Sequence, residues 1–165
     1  MKKQNLVVIG NGMVGQKLLD QLAESGATAR YAITVLCEEP RPAYDRVQLT
    51  AYFSGSSAAD LALVEQTFFD THGIALQLNC RSVAIDRDKR QVHSAAGACF
   101  DYDKLVLATG SYPFVPPIPG HDRDGCYVYR TIEDLDAIRQ GASGRSSGVV
   151  VGGGLPGLEA AKALK

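Results

Sequence analysis

The chain has 165 residues, 45% of them apolar and 21% charged, with a formal net charge of −1. That length suffices for one good hydrophobic core or a little more. The charge balance leaves no basic footprint for nucleic acid or for an acidic membrane surface, and the apolar run behind the basic start Met1-Lys2-Lys3 is too short for a signal sequence or a bilayer span. No nucleic-acid or membrane partner is therefore expected, and cytoplasmic residence is the default.

Residues 6–10 open the chain as a buried parallel strand, a short continuous apolar run that ends in glycine. Val14, Leu18, Leu19 and Leu22 then recur at helical spacing, with Gly26 as the stop. A second apolar strand is predicted over 32–37, which completes a βαβ unit. The polar segment from Glu38 to Arg46 carries two prolines and suits neither a strand nor a helix interior. A helix is expected over 61–71, capped by Ser56 or Ser57 and ended by Gly73. Short strands follow at 74–78, 82–86 and 91–94, the last two joined by the charged turn Asp86-Arg87-Asp88-Lys89-Arg90. Residues 104–108 form another buried strand leading into Thr109-Gly110. Pro113, Pro116, Pro117 and Pro119 make 112–125 an extended linker. Thr131 caps a helix over 131–140 with Asp134 in its first turn. A Gly/Ser loop at 141–148 precedes a last βα start, with a strand at 149–151. No two of Cys37, Cys80, Cys99 and Cys126 stand in C-x-x-C spacing, so zinc, an iron–sulfur cluster and a redox dithiol have no support within this chain. The four read as small hydrophobes at strand ends in a reduced compartment.

Two glycine turns frame the chain. Gly10-Asn11-Gly12-Met13-Val14-Gly15 follows Leu6-Val7-Val8-Ile9, and Gly152-Gly153-Gly154-Leu155-Pro156-Gly157 follows Val149-Val150-Val151. A strand before and a helix after turn a weak pattern into a dinucleotide-binding fingerprint. In the first turn Gly10 makes the tight bend, Gly12 lets backbone approach a pyrophosphate, and Gly15 lets the helix pack on the strand. The helix N-terminus offers free N–H groups and a positive dipole end to the anion. Glu38, at the end of the second strand, stands where an acid accepts from ribose hydroxyls, with Glu39 beside it as the alternative. It lies somewhat beyond the usual ~20 residues, the extra length falling in the polar stretch before strand two. The pattern alone does not separate FAD from NAD. A buried strand ending in Ala108-Thr109-Gly110 and a cation at Arg46 both point toward flavin. Two turns imply two nucleotides, and two nucleotides imply electron transfer.

Together these segments resemble the flavin-dependent pyridine nucleotide oxidoreductases of the glutathione reductase superfold. Glu38-Glu39-Pro40-Arg41-Pro42-Ala43-Tyr44-Asp45-Arg46, Ala108-Thr109-Gly110-Ser111-Tyr112-Pro113, Tyr129-Arg130-Thr131-Ile132-Glu133-Asp134-Leu135 and Gly157-Leu158-Glu159-Ala160-Ala161 are most similar to the large subunits of bacterial NAD(P)H-dependent nitrite reductases. The resemblance implies an α/β architecture: a Rossmann-like FAD-binding domain with a parallel sheet and a small antiparallel β-meander, followed by the start of a second Rossmann unit. Residues 1–113 would be the first segment of the FAD domain, 114–147 a linker with one helix, and 148–165 the opening of an NAD(P)H domain.

By the same resemblance Gly10, Gly12, Met13, Val14, Gly15, Glu38, Glu39, Arg46, Val83, Ala108, Thr109 and Gly110 would contact FAD, and Gly152, Gly154, Gly157 and Glu159 would contact NAD(P)H. NAD(P)H would reduce FAD, and electrons would pass to a [4Fe-4S] cluster and siroheme in a C-terminal part not in this sequence, where nitrite becomes ammonia. A small subunit of nitrite reductase and a homodimer of the full-length form are the implied partners. The residue pattern assigns no catalytic side chain and no metal ligand within the chain, and the piece by itself is expected to be inactive. Val47-Gln48-Leu49-Thr50-Ala51 lacks the lysine that many flavin reductases for ferredoxins and rubredoxins carry. A reductase for a rubredoxin, ferredoxin or nitrate reductase is the alternative enzyme, and a non-catalytic nucleotide-binding or sensing module the alternative of a different class.

Overall fold

The structure is a computed structural model and describes residues 2–164. Met1, the first residue of the basic start, and Lys165, the last residue after the second glycine turn, lie outside the described residues. The chain divides into two compact units: the residues up to Tyr44 with Ala62–Gly110, and Asp45–Leu61 with the residues from Ser111 on.

The first unit is built on β1 (Gln4–Ile9), α1 (Met13–Glu24), β2 (Tyr31–Leu36), α3 (Gln66–His72), β3 (Ala75–Gln77) and β7 (Lys104–Leu107); α2 (Leu49–Phe53) belongs to the second unit. The four strands form a parallel sheet in the order β3-β2-β1-β7. Alternate side chains of β1 go to opposite faces. On one face Leu6 and Val8 pack with Ile33, Val35, Leu19 of α1, Phe69 of α3 and Ile74. On the other, Val7 and Ile9 pack with Leu36 and with Val92 of a second sheet. Burial on both faces is why β1 reads as an uninterrupted apolar run. Phe69, Val8, Val35 and Leu19 are fully buried, and such burial stabilises by about 1.5–3 kcal/mol per side chain.

The second sheet is the antiparallel meander β4 (Ser82–Asp86), β5 (Gln91–Ser94) and β6 (Cys99–Asp101). The charged turn between β4 and β5 forms as expected, with the Asp86 carboxylate accepting from the Lys89 amide at 2.9 Å. The strand at 99–101 carries no sequence expectation because three residues are too few to show a period.

Three expectations need correction, the last of them the burial of the cysteines. The helix foreseen over 61–71 is α3, which starts only at Gln66, though Gly73 does end it in the left-handed region at φ 61°. Ser57 caps no helix; its amide and hydroxyl both donate to the Asp60 carboxylate at 2.7 Å and close a turn. Residues 61–63 are held instead as extended chain by a Tyr44–Ala62 bridge. The second correction concerns 149–151, which forms no strand. Val149 and Val151 are exposed, and a strand exists only where a neighbour accepts and donates its ladder bonds.

The second unit holds α2 (Leu49–Phe53), α4 (Ile132–Ala142) and α5 (Leu155–Ala163). Thr131 caps α4 through a reciprocal pair: its hydroxyl accepts from the Asp134 amide at 3.2 Å and its amide donates to the Asp134 carboxylate at 2.8 Å. Ile132 and Leu135 are buried beneath that turn. Arg139 of α4 donates to the Tyr52 carbonyl and lies over the Tyr52 ring at 4.5 Å, while Tyr52 donates to Asp136 at 2.8 Å. Of the cysteines, Cys37 is buried at the end of β2, but Cys99 and Cys126 are exposed, so the small-hydrophobe reading fails for those two.

Candidate functional site

In a parallel sheet the strand ends that face ligands lie along one edge. Ile9 pairs with Leu36 on one side and Leu107 on the other, so Gly10, the 37–38 segment and Ala108 emerge together at the carboxyl edge. The Gly10 amide donates to the Leu36 carbonyl at 2.9 Å, and the Ala108 amide to the Ile9 carbonyl at 2.8 Å.

The three glycines of the first turn differ in what demands them. Gly10 has φ +106°, and a Cβ there would lie 2.2 Å from the Ala108 carbonyl oxygen. A Cβ on Gly15 would lie 2.3 Å from the Gly10 carbonyl oxygen. Both are therefore fixed by the turn's own packing. Gly12 is different: at φ −86° it adopts backbone open to any residue, and an added Cβ would meet no protein atom within 4 Å. Neither strain nor contact inside the protein requires glycine there. The first intrahelical bond of α1 runs from the Gln16 amide to the Gly12 carbonyl at 2.8 Å. The amides of Met13, Val14 and Gly15 thus have no acceptor within the helix and open onto the space before Gly12. Such an end attracts an anion.

Glu38 is half-exposed beyond β2, with a carboxylate oxygen 3.6 Å from Arg81 Nε. Glu39 is engaged differently: its carboxylate accepts from the Tyr44 hydroxyl at 2.7 Å, and its carbonyl accepts from the Asn79 amide at 3.1 Å. Between the two acids, Glu38 is the one whose carboxylate stands outward at the sheet edge. Thr109 and Gly110 continue from β7 at the same edge, Gly110 at φ +66°. Val83 lies on β4 at an irregularity of strand register, 58% exposed.

The second unit holds the remaining candidates. Arg46 Nη1 donates to the Arg130 carbonyl at 3.2 Å. One guanidinium nitrogen of Arg130, Nη1, is buried with no hydrogen-bond partner, a donor suited to an anionic acceptor; sequence reasoning gave Arg130 no separate role. The second glycine turn repeats the geometry of the first. Gly152 has φ +127°, and a Cβ on Gly157 would lie 2.0 Å from the Gly152 carbonyl oxygen. Pro156 sits in the first turn of α5, where its missing N–H costs no helix bond. Gly154 and Glu159 flank and follow that turn. Burial pushes the Tyr129 phenol up, the Thr50 hydroxyl 3.1 Å away opposing and the Glu159 charge adding to it.

A residue that sequence reasoning passed over is Asn11. Its side chain is buried, Oδ1 accepting from the Ala43 amide at 3.0 Å and Nδ2 donating to Gln16 Oε1 at 3.1 Å. The available signal was an amide side chain inside a glycine turn, where a small residue would fit as well.

Residues 4–165 match the family described as pyridine nucleotide-disulphide oxidoreductase. The whole chain is 52% identical to the nitrite reductase (NADH) large subunit of Escherichia coli (strain K12), covering 20% of that protein. It is 55% identical over its whole length to the nitrite reductase [NAD(P)H] large subunit of Klebsiella oxytoca, covering 17%. The chain thus spans about a fifth of the length of the curated relatives it matches. Among solved structures, the covalent putidaredoxin reductase–putidaredoxin complex superposes with a TM-score of 0.83 at 31% identity, over 99% of this chain and 40% of that one.

Proposed function

Because the chain belongs to the pyridine nucleotide-disulphide oxidoreductase family, we propose that it is the FAD-binding N-terminal portion of an NAD(P)H-dependent nitrite reductase large subunit. Its 52% and 55% identity to two such subunits supports the choice of acceptor within the family. The family itself implies FAD and NAD(P)H as cofactor and reductant.

The observation that carries the reading is Gly12. Its neighbours Gly10 and Gly15 are glycines for reasons internal to the turn, whereas a Cβ at Gly12 would enter only the space before the helix amides. A pyrophosphate laid against the turn supplies the missing reason, because any side chain there would hold it off. Bound FAD supplies a ring that takes a hydride from NAD(P)H and releases the electrons onward. The chain's own residues bind and orient it. The amides of Met13, Val14 and Gly15 meet the pyrophosphate, and Glu38 accepts from the adenosine ribose hydroxyls. Glu39, through Tyr44, holds the loop that carries Glu38. Arg46 is assigned as a phosphate or flavin-side cation, and Val83, Ala108, Thr109 and Gly110 as backbone-side contacts. Gly152, Gly154, Gly157 and Glu159 are assigned to NAD(P)H.

On this proposal residues 1–113 begin the FAD domain, 114–147 link, and 148–165 open the NAD(P)H domain. A [4Fe-4S] cluster and siroheme outside this chain, a small subunit, a homodimeric full-length form and a cytoplasmic location belong to the same proposal. Among the described residues no helix is long and apolar enough to cross a membrane. A reductase for a small iron–sulfur protein is the second reading, favoured by the 31% identity to the putidaredoxin reductase structure.

Anaerobic titration of the full-length protein with NADH, followed by nitrite, separates these readings. Bleaching of the flavin bands by NADH and their return with nitrite is expected. Return only with an oxidised rubredoxin or ferredoxin favours the second reading, and a flavin that NADH does not bleach favours a sensor.

A further inference from the structure

Four polar groups form a directed chain through the first unit. The Ala43 amide donates to Asn11 Oδ1 at 3.0 Å, Asn11 Nδ2 to Gln16 Oε1 at 3.1 Å, and Gln16 Nε2 to Asp20 Oδ1 at 2.9 Å. Asn11 and Gln16 are 5% and 3% exposed, so neither amide has water to fall back on. The direction of the chain is set at both ends, since the Ala43 amide can only donate. A carboxylate only accepts, so Asp20 takes the Gln16 NH2 group and turns the Gln16 carbonyl toward Asn11. That carbonyl takes the Asn11 NH2 group and leaves Oδ1 facing Ala43. A flipped Asn11 would set donor against donor at Ala43 and acceptor against acceptor at Gln16.

Ala43 ends the loop that begins at Glu38, and Asn11 lies between the first two glycines of the turn. The loop is also tied within itself, by the Tyr44 hydroxyl on Glu39 and the Cys37 thiol on the Arg41 carbonyl at 3.5 Å. Asn11 adds the tie between the loop and the glycine turn. We propose that Asn11 is a positioning residue that holds the 38–44 loop in register with the glycine turn, so that Glu38 and the turn amides engage the two ends of an adenosine diphosphate moiety together, and that Asp20 anchors the far end of this latch. The inference rests on the assignment of this edge to FAD. It gives a role to a turn position that the glycine fingerprint leaves open.

The test uses the full-length protein, stripped of cofactor, with amide hydrogen exchange at Ala43 and binding of FAD and of ADP as readouts. In Asn11→Ala, exchange at Ala43 is expected to rise roughly tenfold or more, and both ligands to weaken by a similar factor, since the lost bond is buried. ADP must weaken as much as FAD, which a general loosening of the flavin end would not produce. Asp20→Asn keeps the shape and sits at the partly exposed helix surface, so it folds even where Asn11→Ala does not. With the polarity imposed only from the Ala43 end, exchange at Ala43 should rise by about threefold. Unchanged exchange and unchanged ADP affinity in a flavin-binding protein would overturn the latch while leaving the FAD site standing. A wild-type protein that binds neither FAD nor ADP would overturn the site and the latch with it.

Discussion

Gly15→Ala tests whether the first turn is as tightly closed as its geometry requires. The new Cβ would lie 2.3 Å from the Gly10 carbonyl oxygen and 3.2 Å from its carbon. Ordinary contact would need about 1 Å more, and the opposing atom is backbone, anchored by the Gly10 amide bond to Leu36 at 2.9 Å. Overpacking costs about 1–3 kcal/mol, and an opposing atom in anchored backbone places this case in the upper part of that range, about 2–3 kcal/mol. Alanine's advantage over glycine in a helix offsets about 1 kcal/mol of it. A net loss of about 1–2 kcal/mol should remain, which lowers Tm by roughly 2–8 °C in a chain of this size. Thermal melting followed by circular dichroism, beside Gly12→Ala as the variant with an unobstructed Cβ, reads the difference. If Gly15→Ala melts at or above the wild-type temperature, the close approach of α1 to the turn is wrong.

Other consequences follow from the same geometry. Glu38→Ala should weaken FAD by about 1–3 kcal/mol, the worth of hydrogen bonds to a charged group; equilibrium titration showing no change would move the role to Glu39. Phe69→Ala empties the centre of the first core, where Phe69 is fully buried and meets Phe68 edge-on at 5.4 Å. Denaturant unfolding should show a loss of about 3–5 kcal/mol, and a loss below ~1 kcal/mol would contradict that packing. Burial raises the Tyr129 phenol above its ordinary 10.0. The stability held by the neutral phenol is then fully present below pH ~10 and lost as pH rises through the folded-state value. Ultraviolet titration should show a tyrosine that ionises above its ordinary 10.0 and that Tyr129→Phe removes; an unaltered titration curve in that variant would refute the assignment.

Much of this architecture was legible because two kinds of signal agree at each point. Strand β1 shows an apolar run and a terminal glycine, so it is found in place, although it starts at Gln4 rather than at residue 6 and ends at Ile9; the β4–β5 hairpin shows alternation around a charged turn, and its bounds in the sequence match those in the structure. Residues 57–65 were misread because Leu61 and Val64 sit at helical spacing while Ser57 and Asp60 close a local turn that competes with a helix. The run at 149–151 has strand composition without a partner, and composition carries no information about partners. Within the site, the fingerprint spacing gives each glycine its own role, the bend at Gly10, the cofactor approach at Gly12 and the helix packing at Gly15. The Cβ contacts add what the spacing does not show, that the turn itself needs Gly10 and Gly15 but not Gly12. Nor does sequence show that Tyr44 claims Glu39 and leaves Glu38 at the edge, or that Asn11 is buried, since both depend on a loop returning to the turn across the sheet edge.

The most direct test of the FAD assignment is the flavin content of the purified full-length protein, wild type against Gly12→Val. One FAD per chain in the wild type and none in the variant is expected, with the variant's circular dichroism unchanged because its Cβ meets no protein atom within 4 Å. Full flavin occupancy in Gly12→Val would contradict the pyrophosphate site, whatever the fate of the rest.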